Sequence, residues 1–117
     1  MISHVTVRTA KLRETVEFYQ WLLALPIAKE LHTPMGEIVF LGTHEAKLEL
    51  IGDDKAETIN AKGLSFGVVV DNLEEKIALL DSKGITHSPI ISPMPQVRFV
   101  FFTDLNGCEI QLCEEKN

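Results

Sequence analysis

The sequence predicts an α+β fold made of two tandem βαβββ units, and three observations carry that prediction. Lys47-Leu48-Glu49-Leu50-Ile51 alternates like a strand with a lone carboxylate between leucines. Glu109-Ile110-Gln111-Leu112-Cys113 has the same form, with an amide where the carboxylate was. The two halves also stay in register: His4 matches Ser65 and Leu12 matches Leu73 at an offset of 61 residues, while Phe40 matches Phe102 and Glu49 matches Gln111 at 62. A drift of one residue over a whole unit marks an internal repeat.

Taken in order, His4 to Arg8 alternates as a half-buried strand, with Val5 and Val7 on one face and His4, Thr6 and Arg8 on the other. Leu12, Val16, Tyr19, Leu22 and Leu23 recur at helical spacing to about Leu25, where Pro26 stops the helix. Strands are expected over Ile27 to His32, Glu37 to Leu41 and Lys47 to Ile51, with turn chemistry at Thr33-Pro34-Met35-Gly36. Residues 1–52 form the first unit in this reading, residues 53–63 a polar linker and residues 64–117 the second unit. That second unit opens with a strand over Leu64 to Val70. Asn72-x-x-Glu75 then has capping-box spacing and starts a helix whose apolar face is Leu73, Ile77 and Leu80, closed by Gly84. Three strands are expected after it: Ile85 to Ile91, Val97 to Phe102 and Cys108 to Glu114.

The totals narrow the function. A chain of 117 residues is one domain with room for a hydrophobic core. A formal net charge of −6 and a pI near 5.1 argue against nucleic acid or an anionic membrane as the main partner. No apolar run approaches the roughly 20 residues that span a bilayer, and the N-terminus enters a strand without signal-peptide features. A cytoplasmic location is therefore expected. Cys108 and Cys113 fit it as free thiols, since a spacing of five puts them on opposite faces of a strand.

Strand parity selects the face that carries chemistry. Val5, Val7, Leu48, Leu50, Phe66, Val68, Val70, Ile110 and Leu112 should pack on the helices. The opposite face carries His4, Thr6, Arg8, Lys47, Glu49, Ser65, Gly67, Glu109 and Gln111. It is either a solvated sheet or one that curls around a ligand. His4 beside Glu49 favours the ligand, because imidazole and carboxylate are the usual donors to a divalent ion.

These residues resemble the vicinal oxygen chelate superfamily, which includes glyoxalase I, extradiol dioxygenases, fosfomycin-resistance and bleomycin-resistance proteins. The likeness covers nearly the whole chain. It rests on His4-Val5, Val16-Glu17-Phe18-Tyr19, Lys47 to Ile51, and the run from Phe101 to Leu112. That run is similar to the family's F-x-D-P-D-G-N-x-I-E-L, departing from it at Leu105, Asn106, Cys108 and Gln111. The resemblance implies a curved mixed sheet that forms a cup with helices outside, and a homodimer in which units of two chains complete each cup. It also implies metal ligands at His4, Glu49, Ser65 and Gln111. The second pair departs from the family's His and Glu, and a Ser hydroxyl and a Gln amide are weak donors.

The activity implied is that of a lyase or isomerase dependent on a divalent ion (nickel, zinc, manganese or iron) and acting on a small carbonyl compound or thiol adduct. His4, Glu49 and Gln111 would hold the ion, with Glu49 as the catalytic base. Arg8, Lys47 and Ser65 would contact the substrate. The alternative is a metal-free protein of the bleomycin-resistance type that binds a small molecule. Glu109 is read as paired with a neighbouring cation or facing solvent, ahead of a role as substitute ligand or base, and Arg98 as either structural or ligand-binding. His32, His44 and His87 are expected at the surface, and Phe18, Tyr19 and Trp21 in packing.

Overall fold

The computed structural model describes residues 1–116. Packing divides the chain into a unit over Met1–Thr58 and another from Ile59 onwards. The first contains β1 (His4–Thr9), α1 (Leu12–Leu23), β2 (Ile27–Thr33), β3 (Gly36–Leu41) and β4 (Lys47–Gly52). The second contains β5 (Phe66–Val69), α2 (Leu73–Ser82), β6 (Ile91–Met94), β7 (Val97–Thr103) and β8 (Glu109–Glu115). Both are βαβββ, and the fold is α+β as the repeat predicts.

Each unit holds one mixed four-stranded sheet, ordered β1-β4-β3-β2 in the first and β5-β8-β7-β6 in the second. The first strand of each unit runs parallel to the last, and the other pairings are antiparallel. The repeat therefore extends to topology. In the first unit α1 packs on β4, and Val7, Val16, Tyr19, Leu22, Val39, Leu41 and Leu50 form the core. In the second, α2 packs on β8 over Val70, Leu73, Leu80, Val100, Phe102, Ile110 and Leu112. Parity holds at the strand centres and weakens at their ends. Val5 is 37% exposed, and Leu48, Phe66 and Val68 are half-buried, because the helices cover only the middle of each sheet.

Local chemistry explains the ends. The Asn72 side chain accepts from the Glu75 amide at 3.1 Å, as the capping-box spacing predicts. Helix α1 has no side-chain cap and ends at Leu23, with Ala24 in the left-handed region at φ 53° and its amide bonded to the Gln20 carbonyl. Before β8, Asp104 Oδ1 accepts from the Asn106 and Cys108 amides at 2.9 Å each. Gly107 completes that turn at φ 90°, a conformation open to glycine at little cost. The Asp and Gly of the Phe101 to Leu112 run thus build the turn that sets the register of β8.

Two strand expectations need correction. The segment Ile85 to Ile91 is not a strand; β6 is Ile91–Met94 and contains the Ser92-Pro93-Met94 run expected to be a separator. Pro93 is tolerated because β6 is an edge strand, and the hairpin to β7 turns at Pro95-Gln96. Strand β5 is also shorter than Leu64 to Val70, so Ser65 lies one residue before it.

His87 departs from its expected surface position as well. Its side chain is 19% exposed, with Nε2 at 2.8 Å from Asp81 Oδ1 at the end of α2 and Nδ1 at 2.7 Å from the Ser88 carbonyl. Both partners accept, which favours a ring protonated on both nitrogens. The Ser88 carbonyl and Asp81 raise its pKa above the ordinary 6.5. A raised value contributes stability that is complete below the unfolded-state pKa and is lost as pH rises through the folded one. His87→Gln should therefore cost on the order of 1 kcal/mol at about pH 6, limited by the exposure of Asp81. The difference from wild type should shrink in urea unfolding curves as pH rises through the folded-state pKa of the ring.

Candidate functional site

Strand β4 is central in the first unit and has side-chain neighbours on both flanks. Glu49 lies opposite Thr6 of β1 and Phe40 of β3, on the face away from α1. Leu50 points the other way and is fully buried. Alternation along one strand thus separates chemistry from core.

Around Glu49 the polar groups converge on one oxygen. Thr6 Oγ1 donates to Oε1 at 2.5 Å, and His4 Nε2 lies 3.5 Å from the same atom. Oε2 makes no hydrogen bond among the described residues. The Glu49 side chain is 13% exposed and that of His4 40%, so the carboxylate sits at the base and the imidazole at the rim. His4 is held on two sides. Its Nδ1 is 3.0 Å from Ser3 Oγ, and its ring meets Phe40 edge-on at 5.8 Å between centroids. This pair of contacts orients the ring so that Nε2 faces the carboxylate.

The two flanking cations differ in freedom. Lys47 Nζ donates to the Thr43 carbonyl at 2.7 Å, which draws it towards its own loop. Arg8 lies opposite Ile51 and makes no hydrogen bond or ion pair among the described residues, so its guanidinium is free to meet an anion. Ile38 and Ile51 are cross-strand partners on the same face and provide an apolar floor beyond Glu49.

The second unit repeats the frame without the chemistry. Gln111 lies opposite Gly67 and Phe101, where the first unit has Glu49 opposite Thr6 and Phe40. A Cβ on Gly67 would lie 3.3 Å from Gln111 Oε1, so the amide occupies the space that the threonine fills in the other unit. The exposed Ser65 precedes the strand where His4 begins its own. The carboxylate, hydroxyl clamp and imidazole of the first unit thus give way to Gln111, Gly67 and Ser65 at the matching positions of the second.

The donor set decides what metal binding these residues can support. Two donors each about 2.1 Å from a tetrahedral ion stand about 3.4 Å apart, close to the His4–Glu49 separation. His4 and Glu49 therefore fit a divalent ion and fill two of its positions. Among the described residues no group of three His, Cys, Asp or Glu side chains gathers at metal-binding distance. Ser65 and Gln111 offer neutral oxygens only.

Other polar residues have structural duties. Arg98 lies opposite Glu114 in the β7–β8 ladder and donates to its Oε1 at 2.8 Å, while bonding both oxygens of Glu74 at 2.6 and 2.8 Å. Glu114 is buried and also accepts from the Leu73 amide at 2.8 Å, so it caps α2 from β8. The Leu73 amide and Arg98 hold its carboxyl below the usual range, and Arg98 lowers that of Glu74 to about 2. Glu114 went unrecognised in the sequence, although its pairing with Arg98 follows from the hairpin register. Cys108 and Cys113 are free thiols. Burial pushes Cys108 up to about 11 and raises Cys113, so neither is an activated nucleophile.

The model of the Glyoxalase/Bleomycin resistance protein/Dioxygenase superfamily matches residues 1–112, and the chain belongs to that superfamily. Among solved structures, a glyoxalase family protein from Enterococcus faecalis is 26% identical, with 97% of each chain covered and a TM-score of 0.76. The fosfomycin resistance protein FosX from Listeria monocytogenes, complexed with Mn(II) and sulfate, is 12% identical with a TM-score of 0.79, covering 99% of this chain and 93% of that one. Glyoxalase I from Leishmania major, described as trypanothione-dependent, is 21% identical with a TM-score of 0.76, covering 98% and 86%. These last two likenesses concern the fold. No curated protein sequence matches the chain. Among the described residues no helix is long and apolar enough to cross a membrane.

Proposed function

We propose that this protein is a glyoxalase-like lyase or isomerase, dependent on a divalent ion, that moves a proton within a small carbonyl compound or thiol adduct. The observation that carries the reading is the convergence of His4 and Thr6 on Glu49 Oε1, which leaves Oε2 unengaged. The likeness in fold to FosX complexed with Mn(II) supports a metal in this class of scaffold. The ion, held by His4 and Glu49 with a weak further donor in Gln111 of a second copy of the chain, would polarise the substrate carbonyl.

Glu49 would take the proton from a hydroxyl-bearing carbon beside the carbonyl, and the C–H electron pair would move into the C–C bond as the carbonyl pair moves onto oxygen, leaving an enediolate. The same carboxylate would return the proton to the former carbonyl carbon while the hydroxyl proton passes to the former carbonyl oxygen, so substrate and product are isomers and no outside reductant is needed. Thr6 keeps the carboxylate in one rotamer through both transfers. Arg8 and, when released from Thr43, Lys47 would hold an anionic tail of the substrate, and Ser65 of a second copy of the chain would contribute a hydroxyl. A cytoplasmic homodimer is the form in which this activity is proposed.

The absence of a third strong donor among the described residues favours a second reading. In it the face is a metal-free binding surface for a small molecule.

Bound metal per chain separates the two. Protein purified without chelator and incubated with nickel, zinc or manganese should retain about one ion per His4–Glu49 pair through gel filtration, as elemental analysis would read. His4→Ala should release it, because removing one of two strong donors typically costs at least as much as the 10- to 100-fold loss seen for their supporting partners. No retained ion in the wild type would discard the lyase reading and leave the metal-free one.

A further inference from the structure

A cavity of about 450 Å³ opens in the second unit over the end of β7, between the segment 85–88 and the start of β8. Phe101 and Ile85 give it apolar walls, and Thr86, Thr103, His87 and Glu109 give it polar ones. Few of those polar groups are committed elsewhere. Thr86, Thr103 and Glu109 have side chains with no hydrogen bond or ion pair among the described residues. Thr103 and Glu109 are cross-strand partners, so a hydroxyl and a carboxylate stand side by side at the mouth.

The charge on these walls has one sign left over. His87 is paired with Asp81 at 2.8 Å, so it adds no unbalanced positive charge. The Glu109 carboxylate has no such counter-ion among the described residues, and the chain as a whole carries a net charge of −6. A free carboxylate beside an aromatic ring is a recognition element for an organic cation. The carboxylate pairs with the charge, and the negative face of the ring attracts it again. Phe99 meets Phe101 edge-on at 5.6 Å, which holds that ring in place. The wall opposite is equally firm: Ser88 bonds the Phe101 backbone in both directions, at 2.9 Å each, and His87 ties the same segment to α2.

We infer that this cavity is a binding site for a small organic ammonium compound, in which Glu109 pairs with the ammonium group, Phe101 stacks on its carbon skeleton, and Thr86 and Thr103 hydrogen-bond to it. The inference rests on the second unit alone and stands whether or not Glu49 moves a proton. It assigns a role to Glu109, which the proposed reaction does not use. It also gives the fixed His87 segment a purpose as a cavity wall.

Benzylammonium is a suitable probe, since it combines a primary ammonium group with one ring. Added to the full chain labelled with nitrogen-15, it should shift the backbone amides of Thr86, His87, Phe101, Thr103 and Glu109 saturably, while benzoate at the same concentration should not. Glu109→Gln should weaken the binding by about fivefold, the scale of one exposed ion pair. Glu109→Lys should abolish it. Glu109 is exposed, so neither change threatens folding. Equal binding of benzoate, shifts that persist unchanged in Glu109→Gln, or no shift at these amides would each overturn the assignment.

Discussion

Glu49→Gln is expected to lower the rate of the proposed proton transfer by about 10²- to 10⁴-fold, with no measurable change in stability. The substitution is isosteric, and the amide oxygen can still accept from Thr6, so the side chain should keep its place beside His4. What it removes is basicity and charge. It also gives the first unit the residue type that the second already has at Gln111. Turnover of a carbonyl–thiol adduct by metal-loaded protein, compared with the thermal midpoint of the same sample, checks both halves of the expectation. A variant that turns over at the wild-type rate would remove Glu49 from the chemistry. A variant that unfolds early would show that the carboxylate is structural.

Leu50→Ala should do the reverse. One residue along the same strand, Leu50 is fully buried under α1 beside Val7 and Val39. Truncation removes its transfer energy and leaves a cavity that the surrounding sheet cannot close, a loss of about 2–5 kcal/mol. For a domain with a stability of about 5–15 kcal/mol that is a large share. Urea unfolding should show a lower midpoint with an unchanged slope. Activity per folded molecule at low denaturant should change much less than stability, because Leu50 does not reach the open face. A loss below about 1 kcal/mol would mean that β4 is not the centre of the first core.

The contrast between these neighbours shows how far the sequence could be read. Alternation has a period of two, so each strand assigns its residues to faces without any knowledge of its partners. That is why the buried Leu50, Ile110 and Leu112 and the open-faced His4, Glu49 and Gln111 were legible from the chain alone. Edge strands carry a weaker signal. Strand β6 contains a proline and no alternation of apolar side chains, and the preceding segment, which also carries a proline, is held by single contacts of His87 and Ser88. Hydrophobic pattern cannot report such contacts, because they join residues through one ring nitrogen or one hydroxyl.

By itself the sequence determined the βαβββ repeat, the α+β class, the superfamily likeness and the side-by-side placement of an imidazole and a carboxylate. The repeat, the class and the placement follow from local periodicity and a near-constant offset between the halves, and the likeness rests on the motif runs themselves. Only the tertiary structure decided which groups converge and which stay free. It aimed Thr6 at Glu49, drew Lys47 towards its own loop, enclosed Arg98 between two carboxylates and left Glu109 open on a cavity wall. Hydrogen bonds and ion pairs depend on distance and angle at the scale of tenths of an ångström, which side-chain packing sets and residue order does not.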